Sequence, residues 1–172
     1  MKKILTLCIA ILVAATTVSA KEYKHSLGMV AGSGIGLQYK TMVQPHFTII
    51  EEFGYLGSFA AAGDGFNVPT LGAVNDLVLA YQAKGTEGQN IQLDWYVGGQ
   101  IKAGYVDFGA AGGIIGVGAA AGLEANMKNA PMAFSFDFRP GYGCFLGDDG
   151  LGNVMAGHVF DWTINLGVRY TF

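Results

Sequence analysis

Between Phe160 and Phe172 the chain alternates without a break. Phe160, Trp162, Ile164, Leu166, Val168, Tyr170 and Phe172 are apolar, and the intervening Asp161, Thr163, Asn165, Gly167, Arg169 and Thr171 are polar or glycine. Successive strand side chains point to opposite faces, so this segment predicts a strand with one greasy side and one wet side. Its thirteen residues exceed the roughly 9–11 that a tilted membrane strand needs. The segment before it repeats the pattern, with Met132, Phe134, Phe136 and Phe138 on one face and Ala133, Ser135, Asp137 and Arg139 on the other.

From Ile91 the same rule sends Leu93, Trp95, Val97, Ile101, Ala103 and Tyr105 outward, and Gln92, Asp94, Tyr96, Gly98, Gln100, Lys102 and Gly104 inward. Ile115, Val117, Ala119, Ala121, Leu123, Ala125 and Met127 form another outward row, opposed by Gly116, Gly118, Ala120, Gly122, Glu124 and Asn126. Leu77, Leu79 and Tyr81 mark a further strand with Asp76 and Gln82 on its wet side. The segment from Phe47 to Tyr55 is less regular, because Glu51 and Glu52 are adjacent and one of them must face the wrong way. Leu27 to Val43 reads as two strands joined by Gly32-Ser33-Gly34, a good hairpin tripeptide. The total is eight strands, roughly 26–32, 35–43, 46–57, 70–84, 90–106, 112–128, 131–146 and 158–172.

An even count returns both ends of the chain to one side, as in bacterial single-chain barrels. The expected connections alternate in length. Those at Gln44-Pro45, Lys84 to Gln89 and Asn129 to Pro131 are short; Ser58 to Pro69 and Gly147 to Gly157 are longer and would lie outside the cell. Sixteen spans would consume about 160 residues, more than residues 21–172 offer, so a large porin is excluded.

Composition agrees with a membrane wall. Hydrophobic residues make up 51% of the chain and charged ones 13%, about half the share usual in soluble domains. No uncharged apolar run of about 20 residues follows the N-terminus, which argues against membrane helices. All 27 glycines lie after residue 20, without a collagen period. The first twenty residues read as a cleaved signal peptide: Lys2 and Lys3, an apolar run from Ile4 to Ala15, then Val18-Ser19-Ala20 before Lys21. Residues 21–172 would form one barrel domain with both ends on the same side of the membrane. Without residues 1–20 the chain keeps 8 basic and 13 acidic residues, a balance unsuited to a nucleic-acid partner. Cys144 is then the only cysteine, so no disulfide within the mature chain is expected.

In hydrocarbon every backbone polar group must be paired within the protein, so a membrane sheet has to close. The fold expected is an all-β, closed antiparallel eight-stranded up-and-down transmembrane barrel. Its interior would be just wide enough for side chains to fill. The inward set includes Lys40, Asp76, Asp94, Lys102, Glu124, Asp137, Arg139, Asp161 and Arg169. Five acids and four bases so enclosed should pair in a lumen network. The inward glycines make room for larger neighbours such as Tyr96, or leave a small cavity. Trp95, Tyr105, Tyr142, Trp162 and Tyr170 are expected in the two interfacial girdles.

The C-terminal strand ending in Tyr170 and Phe172 resembles the signal read by the outer-membrane barrel-assembly machinery. Trp95-Tyr96-Val97-Gly98-Gly99 and the run from Pro131 through Phe138-Arg139-Pro140-Gly141 resemble small outer-membrane barrels of Gram-negative bacteria. That resemblance implies eight strands, insertion in the outer membrane and periplasmic termini. The assembly machinery, membrane lipid and lipopolysaccharide are the partners it implies.

Candidate chemistry is thin. Gly32-Ser33-Gly34-Ile35-Gly36 lacks the following helix of a phosphate loop. His25, His46 and His158 show no metal-ligand spacing, and Asp148-Asp149-Gly150 is too short of ligands for a calcium loop. No cofactor, metal or catalytic residue is expected. The reading is a non-enzymatic barrel, plugged by side chains, that serves envelope integrity or surface interaction through its loops. Two alternatives stand beside it. One is a lipid-A-modifying enzyme using Ser58 or Ser33 with His158, oriented by Asp148 or Asp149. The other is a soluble lipocalin-like barrel, whose apolar face would line the interior.

Overall fold

The computed structural model describes residues 23–32, 34–60, 67–107, 111–148 and 154–172; for 55–60, 67–71, 107, 111 and 155 it describes the backbone alone. The expected leader, Ser33 and Asp149-Gly150 lie outside the described residues. Eight strands follow one another: β1 (His25–Ala31), β2 (Ile35–Gln44), β3 (Phe47–Ala60), β4 (Asn67–Glu87), β5 (Ile91–Asp107), β6 (Ala111–Met127), β7 (Met132–Asp148) and β8 (Val154–Thr171). Each pairs antiparallel with the next, and β1 pairs with β8 from Ser26↔Thr171 to Ala31↔Leu166. The sheet is a closed up-and-down barrel with no free edge. His25 and Phe172 exchange both backbone hydrogen bonds, so the two ends of the barrel wall meet on one side.

The strand count agrees with the sequence pattern; several strand ends do not. The pattern predicts a loop from Ser58 to Pro69, yet Ser58↔Pro69, Phe59↔Val68 and Ala60↔Asn67 remain paired. It also predicts a loop from Gly147 to Gly157, where Phe145↔Gly157 through Asp148↔Val154 are paired instead. Backbone pairing needs no alternation of side chains once the strands leave the apolar band, so these extensions carry no sequence signature. At the other end β4 continues to Glu87, with an irregularity between Lys84 and Glu87.

The register fixes the barrel's dimensions. A path through paired residues leaves β8 at Tyr170 and runs through Leu27, Tyr39, Glu51, Leu77, Ile101, Val117 and Tyr142. It returns to β8 at Phe160, ten residues further along the strand. With about 3.3 Å per residue and about 4.8 Å between strands, that stagger over eight strands sets a tilt of about 40° and a radius of roughly 8 Å. Trp95 and Tyr105, ten residues apart on β5, are then separated by about 25 Å along the barrel axis, the height of the apolar band of outer-membrane barrels.

The faces sort as the alternation requires. Leu79, Trp95, Val97, Ile101, Ile115, Val117, Phe134, Phe136, Ile164 and Leu166 are exposed on the outside, and Gln82, Asp94, Gln100, Lys102, Glu124, Ser135, Thr163 and Asn165 are buried inside. A soluble lipocalin-like barrel requires the opposite arrangement. On β3 the phase break falls on Glu51: Thr48 and Ile50 are buried, Glu52 turns into the lumen network, and Glu51 is exposed outside. The pairing of β6 with β7 is interrupted between Gly118↔Gly141 and Ala121↔Phe138, next to Pro140, which has no N–H to donate.

Candidate functional site: the lumen and the outer wall

All nine charged residues assigned to the lumen from sequence are buried there. Glu124 is the hub nearest the end where His25 and Phe172 meet. Lys40 Nζ donates to it at 2.7 Å, Gln82 Nε2 at 3.3 Å, and Arg169 and the Tyr23 hydroxyl also donate to it. Arg169 donates as well to Gln38 and, at 3.1 Å, to Ser135 Oγ. Gln38 Nε2 in turn donates to Glu52 at 3.1 Å, and Arg139 Nη1 lies 2.9 Å from the same carboxylate. Arg139 grips Asp137 with Nε at 2.8 Å and Nη2 at 3.0 Å, while Tyr96 Oη and Asn165 Nδ2 donate to Asp137 at 2.7 and 3.1 Å. Lys102 pairs with Asp161 and lies 3.8 Å from Asp76. Asp94 is held by amides: those of Gln92, Asn126 and Gln82 donate to it at 2.9, 2.9 and 3.3 Å.

Reading inward positions along β5 gives the order of the layers. Asp94 meets the amides, Tyr96 meets Asp137, Lys102 meets Asp161, and Val106 joins Ile114, Phe145 and Val159 in a buried apolar cluster. A second apolar cluster of Ile50, Val78, Ala80, Tyr96 and Ala120 lies among the polar layers. The lumen is therefore less uniformly polar than the sequence pattern suggests. Tyr23 and Glu52 are also missing from the sequence-derived set; Tyr23 precedes the first strand, and Glu52 shares its ambiguity with Glu51.

Glycines set how tightly these layers close. A Cβ on Gly122 would stand 2.5 Å from Tyr96 Cζ and 2.7 Å from Asp137 Cβ, so the Tyr96 ring occupies the space that Gly122 leaves. Beside Gly116, Gly141 and Gly143 remains a void of about 10 Å³, close to the size of one water. Gln100 Oε1 and Asp161 Oδ1, buried without a hydrogen-bond partner among the described residues, belong to the residues lining it. A wider cavity of about 730 Å³ opens at the end where His25 meets Phe172, bordered by Tyr23, Lys24, Gln82, Lys84, Asp94 and Asn126 among others.

On the outer wall, Trp95 and Tyr170 fall near the end where His25 meets Phe172, together with Phe47, Tyr81 and Phe172 itself. Tyr81 packs on both Trp95 and Phe47, and Tyr170 stacks on Phe172. Tyr105, Tyr142 and Trp162 fall toward the opposite end. Phe172 also stacks on His25, across the closing seam between β1 and β8. His158 projects from the outside of β8. Its described partners are Cys144 and Tyr142, whose ring stacks on it at 5.6 Å. Ser33 and the Ser58 side chain, the serines considered with His158, lie outside what the structure describes, as does Asp149. Asp148 is the exposed last residue of β7. At the short turns Lys128 pairs with Glu87, and that hydrogen bond holds the Glu87 carboxyl below its usual range.

A solved structure similar to this chain is a major outer membrane protein from Thermus thermophilus, at 14% identity and a TM-score of 0.47, covering 86% of this chain and 99% of that one. No family model matches the chain. No curated protein matches it.

Proposed function

We propose that this chain is an integral outer-membrane protein with a closed lumen and no chemistry of its own. It would serve envelope integrity or surface interaction through the strand ends and connections at the end opposite its termini. The observation that carries this reading is the sorting of the wall: a mostly apolar exterior between two aromatic girdles about 25 Å apart, around an interior closed by ion pairs and an apolar layer. The termini would face the periplasm, the girdles would rest in acyl chains, and the opposite rim would meet lipopolysaccharide. A surface that apolar is unsuited to water. An interior crossed by Arg139, Arg169 and Tyr96, all at most 1% exposed, is unsuited to ion flow.

Reconstituted in a planar bilayer, the purified protein is expected to show no large, stable conductance. Reproducible open-channel steps would overturn the closed lumen. Extraction of cells without detergent is expected to leave the chain in the membrane fraction, and its appearance among soluble proteins would overturn the membrane reading itself.

Phe172 supplies a separate test. Deleting it is expected to lower the amount of folded, heat-modifiable barrel in cells severalfold, while refolding into detergent changes little. Equal insertion in cells would show that the terminal aromatic is not read by the assembly machinery. A matching loss in detergent would trace the effect to the seam contact between Phe172 and His25.

A further inference from the structure

Cys144 on β7 and His158 on β8 are direct cross-strand partners, and both are exposed on the outside of the wall. Each lies two residues beyond an outward aromatic, Tyr142 and its cross-strand partner Phe160 respectively, toward the end opposite the His25–Phe172 contact. That places them just past the apolar band, where water and dissolved ions reach. Cys144 Sγ stands 3.8 Å from His158 Nδ1. The imidazole is held by stacking on Tyr142, with an interplanar angle of 15°.

We propose that Cys144 and His158 form a cross-strand chelate for a thiophilic metal ion, of which Zn²⁺ is the type. Zinc binds sulfur at about 2.3 Å and imidazole nitrogen at about 2.0–2.1 Å, so a tetrahedral angle between them separates the two ligand atoms by about 3.6 Å. The observed spacing needs almost no adjustment, and paired backbones on both strands hold it. Binding replaces the thiol proton, which passes to water, with a metal–sulfur bond. The described residues offer no third ligand among His, Cys, Asp and Glu, so water fills the remaining positions. A thiolate with an imidazole favours zinc, cobalt and copper(I) over the hard, oxygen-seeking Ca²⁺ and Mg²⁺.

The test uses the full mature chain, folded and reduced in detergent, with Co²⁺ as the spectroscopic probe. A thiolate-to-cobalt charge-transfer band is expected, absent in Cys144→Ser and shifted to at least about tenfold higher metal concentration in His158→Ala, since a chelate loses its effective concentration when one arm is removed. Both variants should keep heat-modifiable mobility, because the two side chains face away from the lumen. In parallel, Zn²⁺ should slow alkylation of Cys144 and Ca²⁺ should not. No band in the folded wild-type barrel would overturn the proposal. A band of unchanged affinity in His158→Ala would overturn it too, because the thiol would then act without the imidazole. Neither result depends on where the protein resides in the cell.

Discussion

Replacing Glu124 with alanine is expected to cost about 3–5 kcal/mol of stability, because it leaves buried cations without their counter-charge. Glu124 is fully buried between Lys40 and Arg169, and Gln82 and Tyr23 also donate to it. Removing the carboxylate strands two positive charges in a lumen that offers little else to them. Arg169 keeps Gln38 and Ser135, both neutral, and Lys40 keeps the face of the Tyr96 ring, 5.4 Å away. Reversible urea unfolding in detergent measures the loss as a lower midpoint at similar slope. Glu124→Gln should fall between wild type and alanine, since it retains an acceptor without the charge. The decisive control removes the whole triad. Changing Lys40 and Arg169 to apolar residues in the Glu124→Ala background should recover much of the loss, as an uncharged set of similar volume has no desolvation to offset. A single alanine variant within about 1 kcal/mol of wild type would mean that the network contributes little to the fold.

Most of this architecture is legible in the sequence because a closed barrel with an apolar outside and a polar inside repeats one physical constraint on every strand. An apolar outside and packed charge inside impose a period of two, and β8 shows it for thirteen residues with no exception. Where the constraint relaxes, the signal fades. Tyr105-Val106, Ile114-Ile115, Phe145-Leu146 and Val159-Phe160 each place apolar residues on both faces, and the inward members form the apolar layer at one end of the lumen. Adjacent apolar pairs at matching strand positions are the available sign of that layer. Glu51 and Glu52 differ by a single step of phase, and only the register with Tyr39 and Leu77 decides which one faces outward. Tyr23 cannot be found from periodicity, because it lies before the first strand and reaches Glu124 across 101 positions of sequence. The pairing of Cys144 with His158 depends on the same hidden quantity. Register joins two residues fourteen apart that share no motif.

On the proposed membrane reading, Leu166→Arg should cost about 2–4 kcal/mol, the penalty for a basic side chain near the middle of a lipid-facing wall. Leu166 is 61% exposed on β8, four residues from Trp162 in one direction and four from Tyr170 in the other. Depth, not loss of packing, is what the substitution probes, because a side chain so exposed gives up few protein contacts. Thr163→Ser, three residues away on the same strand but facing inward, keeps the hydroxyl and should cost less than about 1 kcal/mol, the value of one buried methyl. The wall already carries a charge at comparable depth: Glu51 lies four residues above Phe47 on β3. Acidic residues are tolerated better than basic ones there, so Leu166→Glu should cost less than Leu166→Arg. Unfolding in lipid vesicles gives all three values on one scale. The ordering matters more than any single number, since only a hydrocarbon solvent on the outside makes an exposed leucine harder to replace than a buried threonine. If arginine at 166 and serine at 163 prove equally harmless, the outer face of β8 is not in contact with acyl chains.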